Sequence, residues 1–253
     1  MQDPMGDRMK VYEGSQSPKL MPLLPAFARL DGRAFHTFCK GLEKPYDPRL
    51  TQVMQTVTEY LVESTGARLG YTQSDEITLV WLPPRFDSEL PFGGKIQKMT
   101  SNLAASATIV FYLQLATVIP EKCGYAPTFD CRVWNVPNVV EAANVFLWRE
   151  YDATRNSISS AAQAVYSARQ LHMMNQKDML DMLIERGINW NDYPADFKRG
   201  SYFKRVPRMV EIPKEHRTEG GPTEVARSKI EHMLWEPLST IEDRPAFLFD
   251  KLT

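Results

Sequence analysis

The stretch from Arg68 to Leu82 constrains the fold most tightly. Two strand-like runs, residues 68–72 and 77–82, are broken only at Ser74-Asp75-Glu76. Runs rich in β-branched and aromatic residues around so short a polar break predict a hairpin with its tip at Asp75. Pro83-Pro84 closes the second strand. Upstream, Asp47 is placed to cap a helix with Pro48 at its first position. Leu50, Val53, Met54, Val57, Tyr60 and Leu61 fall at the spacing of one buried helical face, and Gly66 ends the helix.

An earlier run, Phe27-Ala28-Arg29-Leu30, is a short strand stopped by Asp31-Gly32. If the strands are neighbours, Asp31 and Asp75 face the same point. Two such carboxylates suit a pair of Mg²⁺ ions, which take hard oxygen ligands shared with substrate phosphates. The alternative is two turn aspartates capping local amides, and spacing leaves both open.

The remaining elements predict an architecture. One or two helical turns cover residues 34–41, and a proline-bearing loop covers 43–48. A long helix spans about 94–116, and a strand spans 129–134. Strand, helix, strand, strand, helix, strand is the split βαβ, ferredoxin-like arrangement: an antiparallel sheet with two helices on one face. Polymerase palms and nucleotidyl cyclases use this frame, with metal carboxylates on the first strand and the following hairpin. The fold class is therefore α+β, with a palm-like portion at residues 1–137 including a polar lead. A helical and irregular extension at 138–253 packs on it.

That extension reads as helices at 139–150, 153–171 and 177–186. Between 189 and 208, Trp190, Tyr193, Phe197, Tyr202 and Phe203 interleave with Lys198, Arg199, Lys204, Arg205 and Arg208. This is the mixture an RNA surface uses, stacking plus phosphate attraction; a partly buried strand pair is the competing reading. The tail from Glu211 is charged, with one short helix at 223–234, and reads as peripheral.

Charge is balanced at 30 basic and 31 acidic residues, so any nucleic-acid surface must be local. Three cysteines without a CxxC and four scattered histidines suggest no zinc site and a reducing, cytoplasmic setting. The polar N-terminus lacks the apolar core of a signal peptide. Polar residues interrupt Leu103–Ile119, which predicts a buried helix and no membrane span.

Several segments together resemble the tRNA-histidine guanylyltransferase superfamily. They are Arg29-Leu30-Asp31-Gly32-Arg33-Ala34-Phe35-His36, Glu43-Lys44-Pro45-Tyr46-Asp47, Ser74-Asp75-Glu76, Phe129-Asp130-Cys131-Arg132-Val133, Trp148–Asn156 and Ile188–Pro194, in family order. The resemblance implies a palm-like enzyme that adds nucleotides to the 5′ end of tRNA. ATP or GTP activates a 5′-monophosphate, and the 3′-hydroxyl of an incoming nucleoside triphosphate then attacks it. The resemblance places Asp31, Asp75 and the Gly32 carbonyl on two Mg²⁺ ions. It places Asp31, Gly32, Arg33, Ala34, Phe35, His36, Lys44, Asp47, Ser74, Asp75 and Lys95 around the nucleotide. Glu76 is expected to point off the metal axis, because side chains alternate along a strand. Candidate tRNA contacts are Arg155, Asn156, Lys198, Arg199, Lys204 and Arg205, and a homotetramer, a dimer of dimers, is implied.

Two features read as structural. Asp130 and Arg132 suggest an ion pair, with a third metal carboxylate as the alternative, and Cys39 a small core residue rather than a nucleophile. One departure stands out. Eukaryotic members acting on tRNA-histidine carry His-Ile-Asn-Asn where this chain has Thr154-Arg155-Asn156-Ser157. That likens the chain to the Thg-like branch and implies template-directed repair of 5′-truncated tRNA. The alternatives are histidine-tRNA-specific G addition and, on the same carboxylates, a nucleotidyl cyclase.

Overall fold

The computed structural model describes residues 4–125, 127–213, 216–217 and 221–250. Six strands form one sheet in the order β4-β1-β3-β2-β5-β6, with every neighbouring pair antiparallel. They are β1 (Ala26–Gly32), β2 (Leu69–Gln73), β3 (Glu76–Trp81), β4 (Phe129–Asn135), β5 (Ser201–Glu211) and β6 (Glu224–Met233). The first four give the expected ferredoxin-like core. β5 and β6, from the C-terminal half, continue the sheet past β2.

Alternation along the strands separates two cores. Ala26, Ala28, Leu30, Ile77, Leu79 and Trp81 face α3 (Pro48–Thr65) and α4 (Ile96–Val118). Phe27, Tyr71, Val80 and Tyr202 face α5 (Val139–Val165) and α8 (Arg244–Phe249). Helix α3 has the expected ends: the Asp47 side chain accepts from Arg49 N, and Gly66 adopts a left-handed C-cap. Helix α4 buries Met99, Leu103, Ala107, Phe111 and Leu115 at four-residue spacing, as a core helix does. Its outer face carries exposed Ile109, Tyr112 and Leu113. An exposed helix, α1 (Pro4–Ser15), precedes the sheet, and a single short turn, α2 (Phe35–Phe38), follows β1. Helices α6 (Gln176–Glu185) and α7 (Ala195–Arg199) lie against α5.

Three expectations are corrected. The helices expected at 139–150 and 153–171 are one 27-residue helix, α5, ending at Val165. Asp152 stays helical because Arg149 and Arg155, each one turn away, both pair with it. The helix expected at 223–234 is β6, paired with β5 over ten residues. Cross-strand pairing, including Phe203 stacked on His232 at 4.8 Å, overrides weak local propensity. Nor is the tail peripheral. Trp235 stacks on Tyr202 at 4.4 Å, Leu238 N donates to Glu150 Oε1 at 2.7 Å, and Leu248 and Phe249 enter the second core.

Candidate active site

The ends of β1 and of the β2–β3 hairpin meet at one corner of the sheet. Gly32 N donates to Asp75 O at 3.1 Å, and Arg33 N donates to Thr128 O at 2.8 Å. Ala34 and Ser74 take left-handed φ values of 59° and 52°, which turn the chain sharply behind each carboxylate. Gly32 is required by a close approach: a Cβ there would sit 2.3 Å from the Phe35 ring. Phe35 is buried against Phe38, Phe111 and Phe129, so its ring forms a floor under the turn.

A cleft of about 760 Å³ opens over this corner, a size suited to a nucleotide-scale ligand. Asp31, Asp75 and Glu76 line it, with His36, Lys40 and Lys44 among the residues of its wall. Ser74 Oγ donates to Asp75 Oδ1 at 3.1 Å. Burial raises the Asp75 carboxyl above its usual range, and the Asp31 charge raises it further. The Asp31 carboxylate accepts no hydrogen bond and forms no ion pair among the described residues. Two carboxylates converging without a counter-cation form a donor set that a divalent ion fits. Among the described residues no group of three or more His, Cys, Asp and Glu side chains could hold a metal. A site here would therefore rest on Asp31, Asp75 and the Gly32 carbonyl, with substrate oxygens completing the shell.

Glu76, across from Asp31 in the β1–β3 register and lining the same cleft, is held by arginines. Arg149 donates to it through Nε at 2.6 Å and Nη2 at 2.8 Å, and Arg29 Nε lies 3.8 Å from it. Arg149 was not singled out in the sequence. Its place three residues before Asp152 was legible, but its cross-fold partner Glu76 was not.

The other expected site residues divide. His36 and Lys44 are exposed on the cleft wall, and Asn156 reaches it from α5. Asp47 lines the cleft, but its oxygens are committed: Oδ1 accepts from Arg49 N and Nε, and Oδ2 accepts from Arg49 Nη2 and Glu43 N. These bonds, led by that from Arg49, hold its carboxyl below the usual range. Asp47 is thus a helix cap rather than a nucleotide ligand. Arg33 and Ala34 are exposed beside the cleft.

Lys95 is not in the cleft. It precedes α4 and bridges to Lys19, whereas Lys122, past the far end of that helix, donates through Nζ to the cleft residue Lys40. Twenty-three helical residues span about 35 Å. Burial pushes the Cys39 thiol up to about 11, so it stays protonated and serves as a packing residue.

Of the expected RNA contacts, Lys204 is buried and its Nζ donates to Phe247 O at 3.0 Å. Arg205 donates to Ala67 O and Val62 O. Both tie layers together, and the strand-pair reading of this segment holds. Lys198 Nζ donates to Asn191 O at 2.5 Å and sits over the Trp190 ring. Arg199 Nε is buried without a partner among the described residues. Arg155 is exposed but paired with Asp152. Asp130 and Arg132 form an exposed 3.7 Å pair rather than a buried one. One further feature escaped the sequence: Tyr46 stacks on Phe197 at 4.6 Å on the cleft wall, joining the 43–48 loop to α7.

A palm-type antiparallel sheet with two carboxylates at adjoining strand ends over a nucleotide-sized cleft is the frame of a nucleotidyltransferase. The family profile described as tRNAHis guanylyltransferase (Thg1) matches residues 6–137. A solved bacterial Thg1-like protein in complex with ATP is 40% identical, with a TM-score of 0.74, covering 79% of this chain and 88% of that one. A second, described in complex with GTP, is 33% identical with the same TM-score and covers 98% of this chain and 100% of that one. The tRNA(His) guanylyltransferase of Schizosaccharomyces pombe is 26% identical over 213 residues, 79% of each chain. The chain belongs to the tRNAHis guanylyltransferase family and is a nucleotidyltransferase acting on tRNA.

Proposed function

We propose that this protein is a Mg²⁺-dependent 3′–5′ nucleotidyltransferase that repairs 5′-truncated tRNA by template-directed addition. The convergence of Asp31 and Asp75 at one cleft carries this reading. Mg²⁺ held by those carboxylates and the Gly32 carbonyl supplies charge neutralisation at the reacting phosphoryl oxygens. The chain itself positions the substrates. Lys44, a hydrated point charge, and His36 face a triphosphate across the cleft, and Ser74 offers a hydroxyl beside Asp75. The amides of Ala34, Phe35 and His36 remain for phosphate oxygens, since those of Gly32 and Arg33 are spent on Asp75 O and Thr128 O.

In the first step an oxygen of the RNA 5′-monophosphate attacks the α-phosphorus of ATP or GTP, and pyrophosphate leaves. In the second, the 3′-hydroxyl of an incoming triphosphate attacks the RNA 5′-phosphorus, and the nucleoside monophosphate leaves. No protein nucleophile is needed, which agrees with the protonated Cys39.

Two observations favour repair. The residues 154–157 are Thr-Arg-Asn-Ser, and identity to the bacterial Thg1-like proteins exceeds that to the yeast enzyme. A homotetramer is part of the proposal, supported by the uncharged, exposed outer face of α4 at Ile109, Tyr112 and Leu113. Cytoplasmic residence is supported by three free thiols.

The test is incubation with Mg²⁺, ATP, nucleoside triphosphates and a 5′-monophosphorylated tRNA lacking its first nucleotide. Addition at the 5′ end that follows Watson–Crick pairing across several tRNAs supports the proposal. Addition confined to histidine tRNA, with a G placed opposite A, refutes the repair reading.

A further inference from the structure

Arg149 sits on the floor of the cleft, where an arginine would ordinarily be assigned to a substrate phosphate. Its geometry argues otherwise. The side chain is 7% exposed. Its Nε and Nη2 are taken by the two oxygens of Glu76, and its Nη1 by Asp152 Oδ2 at 2.5 Å. Trp148 covers the guanidinium at 4.4 Å. Asp152 is in turn held by Arg155, so Arg149 is fixed from three sides.

Its main partner occupies a sensitive position. Glu76 follows Asp75 in sequence and lies directly across from Asp31 in the β1–β3 register. Three carboxylates of the cleft lining, Asp31, Asp75 and Glu76, therefore meet at one corner of the sheet; Asp130, across from Asp31 on its other side, lies outside that lining and pairs with Arg132. Of the three, only Glu76 is given cations, Arg149 with a bidentate grip and Arg29 at 3.8 Å. Released from its arginines, a carboxylate that close to a divalent-ion site would be a further hard oxygen donor able to replace one of the ion's waters.

We propose that Arg149 is a positioning residue that holds Glu76 out of the Asp31–Asp75 cation site and so limits the carboxylate ligands to two. The inference rests on the metal reading given above. A third carboxylate would bind the cation more tightly and add a negative charge where a triphosphate must approach. The fork of Arg149 prevents both, so its loss slows turnover without removing a triphosphate contact.

The test is Mn²⁺ titration of the full-length protein, followed by electron paramagnetic resonance without nucleotide or RNA, alongside steady-state 5′-addition kinetics. Arg149→Met is expected to bind Mn²⁺ about 30-fold tighter, the scale of one added charge acting on a divalent ion at short range in a water-like dielectric. Arg149→Met/Glu76→Gln is expected to return to about the wild-type affinity, since the freed carboxylate is gone. In Arg149→Met, kcat falls about tenfold or more while KM for the triphosphate stays within about twofold. Arg149→Lys keeps the charge but loses the fork. It should tighten Mn²⁺ binding in the same direction by a smaller factor, and it carries the test if Arg149→Met does not fold.

Unchanged or weaker Mn²⁺ binding in the soluble variants overturns the proposal. So does a KM that rises about tenfold with kcat unchanged, the signature of a lost phosphate contact. Asp75→Asn separates the two readings. If it weakens Mn²⁺ binding, the metal site stands whatever Arg149 does; if it leaves binding unchanged, both fall.

Discussion

Gly32→Ala isolates the close packing that sets the active-site corner. The added Cβ would lie 2.3, 2.4 and 2.8 Å from Cδ2, Cε2 and Cγ of Phe35, so the ring must move. It has little room, with the rings of Phe38, Phe111 and Phe129 at 5.1, 5.3 and 5.4 Å. Overpacking of this kind costs about 1–3 kcal/mol. At about 2–4 °C per kcal/mol for a chain of this size, the melting midpoint should fall by about 2–12 °C in differential scanning calorimetry. Phe35→Ala removes the obstacle, so Gly32→Ala should be nearly free in that background. A double-mutant cycle should show about 1–3 kcal/mol of coupling. Because Asp31 adjoins the displaced residue, 5′-addition should fall by about 10²-fold, the scale of a misplacement near 1 Å. Additive melting shifts in the cycle, or a midpoint within about 1 °C of wild type, would show that Gly32 is not chosen for its contact with Phe35.

Asp75→Asn should abolish both activation and addition while raising stability in chelator-treated buffer at neutral pH. Asp75 has a raised folded pKa, so its stabilising protonation is full below the unfolded value of about 3.9 and is lost as pH rises through the folded value. The variant's advantage in denaturant midpoint should therefore vanish near pH 3 and grow with pH; an advantage that shrinks with rising pH contradicts the assigned cause. Lys44→Ala should raise KM for the activating triphosphate about tenfold, with little change in Tm, as an exposed cleft lysine requires. Lys204→Met should leave the salt dependence of tRNA binding unchanged in filter-binding assays, because the lysine is internal; a slope reduced by about 1 would return it to the RNA surface. Ile109→Glu should shift sedimentation velocity toward smaller species, since it places a charge on the apolar outer face of α4.

Local signals read well wherever one short stretch determines its own conformation. Asp47-Pro48 and Gly66 marked both ends of α3, and Ser74-Asp75-Glu76 marked the hairpin tip, because caps and turns are settled by a few neighbouring residues. Reading failed where a distant partner decides. Glu224–Met233 is a strand because β5 offers it a register, and nothing within those ten residues says so. Lys204 and Arg205 looked like a basic surface because their spacing among aromatics matches one. β5 lies between two layers at that point, so its alternation sends Lys204 toward Phe247 and Arg205 toward Ala67. Lys95 matched a pattern in the chain but sits at the wrong end of a long helix, a fact of three-dimensional length.

The distribution of guanidinium groups at the cleft corner says more than any single motif. Asp47 is bound by Arg49, Glu76 by Arg149 and Arg29, and Asp130 by Arg132. Asp31 and Asp75 receive no cation from the described residues, although they are close enough for the charge of one to raise the other. A chain able to place an arginine beside Asp47, Glu76 and Asp130 could have neutralised Asp31 and Asp75 as well. Leaving them bare lowers stability at neutral pH through burial and mutual repulsion. Such local cost is expected where function needs the charge, and here it leaves a pair of oxygen donors that a bound divalent ion would neutralise. The same reasoning makes Glu76 the informative residue. Identical chemistry one position along the strand is removed from the site by a buried guanidinium, so the ligand set is defined as much by what Arg149 withholds as by what Asp31 and Asp75 present.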